Sequence, residues 1–210
     1  MKSGSGRNKR AGAEAAGDRP DSQLFSSAFG DMGVDASMLV PWELRASEIG
    51  STPLASSRGV QVLQALWSRD KYMGRLDANA IGRLEGFFDF AVVAAGRDVI
   101  RQDEYGNFMI VLLSGSIAVD RRQPWGEQMR MAEARPGAIL GEMSLLDSGV
   151  RFAHCTTLAS CEIGVLGAES LDRMMATDPE LVASVVALLA RKLSLRLRVV
   201  GARVSDRQNP

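Results

Sequence analysis

The sequence predicts a mainly β protein, an antiparallel β sandwich or roll with helices before it and a long helix after it. Many short apolar runs between Val92 and Leu166 are separated by Gly, Asp and Asn turns, a pattern typical of antiparallel sandwiches and rolls. Apolar residues recur at helical spacing before this region, from Val60 to Phe88, and again after it, from Asp178 to about Val204.

The composition is that of an ordinary globular chain. Of its 210 residues, 46% are hydrophobic, and 25 basic residues balance 25 acidic ones, so the overall charge favours neither nucleic acid nor a membrane surface as a partner. The polar N-terminus does not resemble a signal peptide, and no apolar run reaches the roughly 18 residues of a membrane span. The two cysteines, Cys155 and Cys161, are too few for a disulfide framework. We therefore expect a cytoplasmic protein with reduced thiols and no membrane contact.

Residues 1–57 differ in composition from the rest, and we expect them to form a flexible N-terminal extension before a domain at 58–210. The first twenty residues are rich in Gly, Ala, Ser and charge and cannot bury enough apolar surface to offset their ordering entropy. A short apolar segment follows, which includes Leu24, Phe25, Phe29, Met32, Met38, Leu39, Val40 and Trp42. Two alternatives remain open for this segment: it folds onto the main domain, or it is a docking peptide.

Two helices are predicted between the extension and the strands. Val60, Leu63 and Trp67 mark the apolar face of the first. Asp77 is a suitable N-cap for the second, with Ile81, Leu84 and Phe88 on its inner face.

The predicted strands follow as short apolar or alternating runs that end at turn residues. They lie at Val92–Val93, Val99–Ile100, Phe108–Leu113, Ile117–Val119, Met129–Met131, Ile139–Leu140, Cys155–Leu158 and Cys161–Leu166.

Two helices are predicted after the last strand. The first is short and runs from Glu169 to Met175. Asp178 and Pro179 then provide an N-cap and a proline at the first position of a longer helix. Apolar residues cover much of the circumference of this helix, which favours a packed lid, a homodimer interface, or both.

The candidate functional motif begins at the end of the sixth predicted strand and lies before the seventh. Leu140-Gly141-Glu142 is followed, nine positions after the glutamate, by Arg151. A carboxylate and a guanidinium on a short turn opened by a glycine suit a small ligand that carries both hydroxyl groups and an anionic phosphate. The motif therefore indicates a nucleotide sensor in preference to an enzyme.

Together with the motif, the element order resembles the cyclic nucleotide-binding domain. This is the sensor module of catabolite activator proteins, cyclic-nucleotide-dependent kinases and cyclic-nucleotide-gated channels, and its core is a jelly roll of about eight strands. The likeness covers about residues 60–204. The residues that carry it are Gly96 with Val99-Ile100, Ser114-Gly115 within Phe108 to Val119, Pro136-Gly137, Gly141-Glu142 with Arg151, and Ala159 to Leu166.

The resemblance implies a role for each part of the motif. Glu142 would accept a hydrogen bond from the ribose 2'-hydroxyl, and Arg151 would pair with the cyclic phosphate. Gly141 would let the backbone approach the ligand, and Met143 and Ser144 would begin a one-turn helix beside the phosphate. The ligand-binding residues expected on this basis are Gly141, Glu142, Met143, Ser144, Arg151, Phe152, Ala153 and Arg196.

This sequence departs from the family pattern near the arginine. Val150 stands where a proline is frequent, Phe152 where the family favours a small or hydroxyl residue, and His154 where a Thr or Ser is frequent. A threonine just after the arginine favours cyclic GMP in kinase-type domains, and Phe152 cannot take that role. Cyclic AMP is therefore the favoured ligand, with cyclic GMP or cyclic di-GMP as alternatives. Arg196 lies where the family's long helix reaches the base, and it would stack on a base, donate to a guanine edge, or remain a solvated charge.

Other site chemistries find little support in the sequence. The single histidine, His154, adjoins Cys155, but neighbouring strand residues point to opposite faces, so no metal site is expected. One histidine also makes a Ser/His/Asp or Cys/His catalytic arrangement difficult to build, so we do not expect an enzyme.

The expected output is contact with another protein. No helix-turn-helix fits after the long helix, so direct DNA binding is not expected, and the effector protein is unknown. The alternative function is a ligand-free interaction scaffold, in which Glu142 and Arg151 form a salt bridge in a domain that has lost its ligand.

Overall fold

The computed structural model describes residues 23–69 and 78–207, and in them strands form two antiparallel sheets with helices packed around one of them. The sheet with five strands has the order β1-β2-β9-β4-β7, and the sheet with four has the order β3-β8-β5-β6. The strands are β1 (Thr52–Pro53), β2 (Asp89–Val93), β3 (Asp98–Ile100), β4 (Phe108–Ser114), β5 (Ile117–Arg122), β6 (Gln128–Ala134), β7 (Ile139–Leu140), β8 (His154–Thr157) and β9 (Cys161–Gly167). This confirms the predicted jelly roll and the position of each predicted strand.

Most of the helices lie before β2 or after β9, and one short helix lies between β7 and β8. They are α1 (Leu24–Asp31), α2 (Trp42–Ile49), α3 (Ser56–Trp67), α4 (Ala78–Arg83), α5 (Glu142–Asp147), α6 (Ala168–Thr177) and α7 (Pro179–Arg207), with 3-10 turns at Ala36–Met38 and Leu84–Gly86. Helical residues outnumber strand residues among these elements, although the strands form the centre. The predicted cap Asp77 lies outside the described residues. Asp178 is confirmed as a cap, because its carboxylate accepts a hydrogen bond from the Leu181 N–H at 3.2 Å.

The central strand β4 joins two apolar cores because successive strand residues face opposite sides of a sheet. Met109, Val111 and Leu113 pack under the helices, with Trp67 and Leu188 in the same core. The alternate residues of β4 pack between the two sheets, in the core that holds Ile117, Ile163 and other strand residues. This double burial explains why β4 is a continuous apolar run in the sequence.

Of the two alternatives open for the apolar segment, the structure shows the first: the described residues 23–57 fold onto the main domain. Phe29, Trp42 and Ile49 are buried, and their burial supplies the free energy that the polar first twenty residues lack. Asp172 of α6 accepts hydrogen bonds at 2.8 Å from the backbone N–H groups of Phe25 and Ser26 at the start of α1. The apolar segment is therefore not a free docking peptide. The boundary at 57/58 stays a prediction, and residues 1–22 lie outside the described residues.

Helix α7 changes its environment along its length. Its first turns are buried through Leu189, whereas Leu195, Leu197, Val199 and Val200 are exposed. The homodimer predicted through this helix stays a prediction. Among the described residues, no helix is long and apolar enough to cross a membrane.

Candidate functional site

The eight predicted ligand-binding residues line one cleft between the roll and α7. Gly141, Glu142, Met143, Ser144, Arg151, Phe152, Ala153 and Arg196 form its wall together with Ile100, Val119, Leu140 and Cys155. The cleft encloses about 90 Å³, less than the roughly 300–1,000 Å³ of typical small-molecule sites. The described residues thus converge as the motif predicted, but around a space that is narrow in this conformation.

A glycine is required at the start of α5. Gly141 has φ +79°, a left-handed conformation that residues with a side chain rarely adopt. A Cβ at this position would lie 2.6 Å from Nη1 of Arg151 and 2.8 Å from Cδ1 of Ile100. The turn therefore brings the backbone of Gly141 directly against the arginine, and the carbonyl of Gly141 accepts a hydrogen bond from Nη1 at 2.7 Å.

Arg151 is a buried cation with incomplete pairing. Its residue is 2% exposed, and its guanidinium stacks 4.5 Å from the centre of the Phe108 ring. Nη2 has no hydrogen-bond partner among the described residues. Burial lowers the pKa of Arg151 to about 10, so the side chain still carries its charge at neutral pH. A buried, charged and partly unpaired guanidinium is a ready site for an anion.

Glu142 does not pair with Arg151, so the salt bridge of the ligand-free alternative is absent from the described residues. Glu142 is 3% exposed, and its Oε1 forms an ion pair with Nη1 of Arg196 from α7. Nη2 of Arg196 also donates to the Ile139 carbonyl at 2.8 Å. Arg196 is half-exposed and also reaches a buried carboxylate, so it is not only a solvated helix charge; its predicted contacts with a base stay predictions.

The remaining predicted residues differ in exposure. Ser144 and Ala153 are buried, whereas Met143 and Phe152 are exposed at the mouth of the cleft. Arg121, which the sequence did not single out, donates to the Phe152 carbonyl at 2.6 Å and lies 4.0 Å from the centre of its ring. These contacts hold Phe152 at the entrance.

Four further residues near Arg151 were not predicted to belong to the site: Arg45, Glu104, Gly106 and Phe108. Arg45 lies in the segment expected to be flexible, and the others belong to or adjoin a loop without a recognisable motif. The one available signal was the apolar run around Trp42, which predicts burial of the helix that carries Arg45.

Metal binding is not indicated by the described residues, which contain no group of three His, Cys, Asp or Glu side chains suited to a metal ion. His154 is half-buried on β8, and Cys155 on the same strand is buried, consistent with their alternating orientation.

The cysteines provide a test of the burial of this site. Desolvation raises the pKa of Cys155 to about 12 and also raises the pKa of Cys161. We expect neither thiol to react with a disulfide reagent in the native protein at pH 8, and both to react after unfolding. Because the folded-state pKa of Cys155 lies above its ordinary value of 9.0, its contribution to stability is complete below pH 9 and is lost as the pH rises toward 12. Stoichiometric labelling of either thiol without unfolding would contradict the burial.

Comparisons with known proteins agree with this fold. Residues 91–178 match the family model described as the cyclic nucleotide-binding domain. The chain is 28% identical over 98 residues to the CRP-like cAMP-activated global transcriptional regulator of Mycobacterium tuberculosis, covering 47% of this chain and 44% of that protein. It is 29% identical over 107 residues to the Cyclic AMP receptor protein of Thermus thermophilus, covering 51% of this chain and 50% of that protein.

A solved structure extends the likeness to the whole roll. A cyclic nucleotide-binding domain from Methylobacillus flagellatus KT superposes with a TM-score of 0.68 over 73% of this chain and 87% of that chain, at 21% identity. At this identity the likeness concerns the fold. The chain spans about half the length of the curated relatives it matches.

Proposed function

Residues 91–178 belong to the cyclic nucleotide-binding domain family, and on this premise we propose that the chain is a regulatory sensor whose long helix responds to a cyclic nucleotide. The observation that carries the proposal is the presence of two buried charges of opposite sign in the wall of one cleft. Glu142 and Arg151 are 3% and 2% exposed, and burying such groups without a compensating function is costly.

The two charges match the two ends of a ribose cyclic phosphate. The guanidinium of Arg151 suits the phosphate oxygens, because its planar fork donates two hydrogen bonds at once. The carboxylate of Glu142 suits a ribose hydroxyl, and a buried hydrogen bond to a charged acceptor contributes roughly 1.5–3 kcal/mol. Phe152 at the entrance would lie near the base or the phosphate.

Ligand binding would act on α7 through Arg196. In the structure Arg196 occupies the carboxylate that the ribose would use, and it also holds α7 to the Ile139 carbonyl. A ligand hydroxyl that takes the place of Arg196 on Oε1 of Glu142 releases the arginine, and this release would enlarge the narrow cleft and free the middle of α7. The ligand then shifts the population of helix positions by its differential affinity for them.

Cyclic AMP is the favoured ligand. Phe152 lacks the hydroxyl that would favour cyclic GMP, and the names of the two curated relatives above refer to cAMP. Cyclic GMP and cyclic di-GMP remain alternatives to be measured beside it. The effector is part of the same proposal: the exposed apolar end of α7 would contact an effector protein or a second copy.

The second candidate is a ligand-free interaction scaffold. The ion pair between Arg196 and Glu142 favours it, because that pair already satisfies the buried carboxylate without a nucleotide. The small cleft volume of about 90 Å³ also favours the scaffold.

Calorimetry and thermal unfolding with cyclic AMP, cyclic GMP and cyclic di-GMP distinguish the two candidates. The sensor proposal predicts saturable heat with at least one of them and a rise in the unfolding midpoint that grows with ligand concentration. If none of the three nucleotides at millimolar concentration produces heat or a midpoint shift, the result contradicts the sensor proposal and favours the scaffold.

A further inference from the structure

A second buried arginine lies on the inner side of Arg151. Arg45 of α2 is 1% exposed, and its Nε has no hydrogen-bond partner among the described residues. The same helix places Trp42 edge-on against Phe108, with ring centres 5.7 Å apart, and Phe108 is the ring on which Arg151 stacks. The N-terminal helix is thus part of the packing around the candidate phosphate-binding residue.

Arg45 holds the carboxylate of Glu104. Its Nη2 forms an ion pair with Oε2 of Glu104, and its Nη1 contacts Oε2 of Glu48 at 2.5 Å. Arg101 approaches the other oxygen of Glu104 at 3.7 Å and Oε1 of Glu48 at 2.5 Å. Each oxygen of Glu104 therefore faces a guanidinium other than that of Arg151.

Glu104 is nevertheless a close neighbour of Arg151. Its carbonyl accepts a hydrogen bond from the Arg151 N–H at 2.8 Å, and the side chains of Arg45, Glu104 and Arg151 line one small space beneath the cleft. The loop that carries Glu104 continues to Gly106, where a Cβ would come within 2.7 Å of both Nε and Nη2 of Arg151. The unpaired edge of the guanidinium thus faces the loop of Glu104.

The position of Glu104 would suit a competing ion pair. A carboxylate freed near a buried guanidinium with an unused donor is expected to pair with it, since the pair is stronger where solvent is excluded. An arginine in such an ion pair must break the pair before it binds a phosphate. The affinity for the anion therefore falls. Arg45 is the side chain that prevents this in the structure.

We infer that Arg45 is a positioning residue for anion binding: it occupies Glu104 and so keeps the charge of Arg151 available to an anionic ligand. The inference rests on the proposed function, because the anion is the cyclic phosphate. It gives the N-terminal helix a part in ligand affinity without any contact with the ligand.

Calorimetry with the cyclic nucleotide that binds the wild type tests the inference. Arg45→Met, which has similar length and no charge, is expected to weaken binding about tenfold, because Glu104 turns to Arg151. Glu104→Gln alone should leave the affinity near that of the wild type. The double variant Arg45→Met/Glu104→Gln should recover wild-type affinity within about threefold, a rescue that a purely structural role of Arg45 would not produce.

Arg101→Met is the matched control, since Arg101 belongs to the same cluster and carries the same charge. Long-range electrostatics predict equal losses for Arg101→Met and Arg45→Met, whereas the inference predicts a loss for Arg45→Met alone. If Arg45→Met does not fold, Arg45→Lys replaces it. Its loss of affinity should be smaller, because an ammonium keeps the charge although it lacks the planar fork. Equal effects of the two arginine sites, or no rescue by Glu104→Gln, would overturn the inference.

A measurement without ligand separates this inference from the proposed function. Denaturation midpoints of Glu104→Gln, Arg151→Met and their combination give the coupling between the two side chains. The coupling should be larger with Met than with Arg at position 45. Equal coupling refutes the role of Arg45, even if no nucleotide binds.

Discussion

Arg151→Ala is expected to weaken binding of the cyclic nucleotide by roughly 2–5 kcal/mol, which is about 30- to 4,000-fold in affinity. The reason is the burial of the site: a phosphate desolvated beside Gly141 would lose the buried guanidinium that lies against that glycine. Calorimetry gives the affinity directly, and thermal unfolding without ligand shows whether the variant is folded.

The control for this variant is Arg58→Ala, which also removes an arginine. Arg58 is exposed and pairs with Glu162 at 2.9 Å, and neither residue lines the cleft. The affinity of Arg58→Ala for the nucleotide should equal that of the wild type. The affinity of Arg151→Lys should lie between those of Arg151→Ala and the wild type, since an ammonium keeps the charge and loses the planar fork. An unchanged affinity in Arg151→Ala would mean that the ligand binds elsewhere.

Arg196→Met is expected to tighten nucleotide binding about tenfold, a typical magnitude for coupling between two sites. The variant removes the competitor from Glu142, so the ligand no longer has to break the ion pair with α7. The ligand-free protein should be less stable by about 1–3 kcal/mol, because the buried carboxylate loses its charged partner. Since Arg196 is half-exposed, water compensates part of that loss.

Arg198→Met is the matched control, because Arg198 is an exposed arginine two residues further along α7. It should change neither the affinity nor the stability by a measurable amount. Weaker binding in Arg196→Met would contradict the displacement mechanism. That result would instead support a direct contact between Arg196 and the base, one of the roles considered from the sequence.

Much of the fold followed from local patterns. The apolar runs Phe108–Leu113 and Cys161–Leu166 became β4 and β9, and the glycines between the runs became turns. These features depend on residues close together in the chain, so a linear pattern contains them. The same holds for Gly141, whose left-handed backbone opens α5 two residues after the start of β7.

The candidate site was predicted in part. All of its predicted residues line one cleft, but their pairing differs from the expected one: Glu142 pairs with Arg196, which lies 54 residues away, and Arg45 pairs with Glu104, 59 residues away. Neither partner has a periodic or turn signal, because any exposed arginine in a helix produces the same local pattern. The sequence left the placement of the apolar segment before residue 58 open for a similar reason, since its stability comes from surfaces that other elements provide.

The sequence by itself determined the antiparallel roll, the long helix, and the Gly-Glu turn with its arginine, because hydrophobic periodicity and turn chemistry act over a few residues. Only the tertiary structure decided which charges meet. Ion pairs depend on distances of a few ångströms between side chains that the fold brings together, and here those distances place Arg196 on Glu142 and Arg45 on Glu104. In the folded chain the buried carboxylate of Glu142 pairs with Arg196, and Glu104, whose carbonyl accepts a hydrogen bond from the Arg151 N–H, pairs with Arg45.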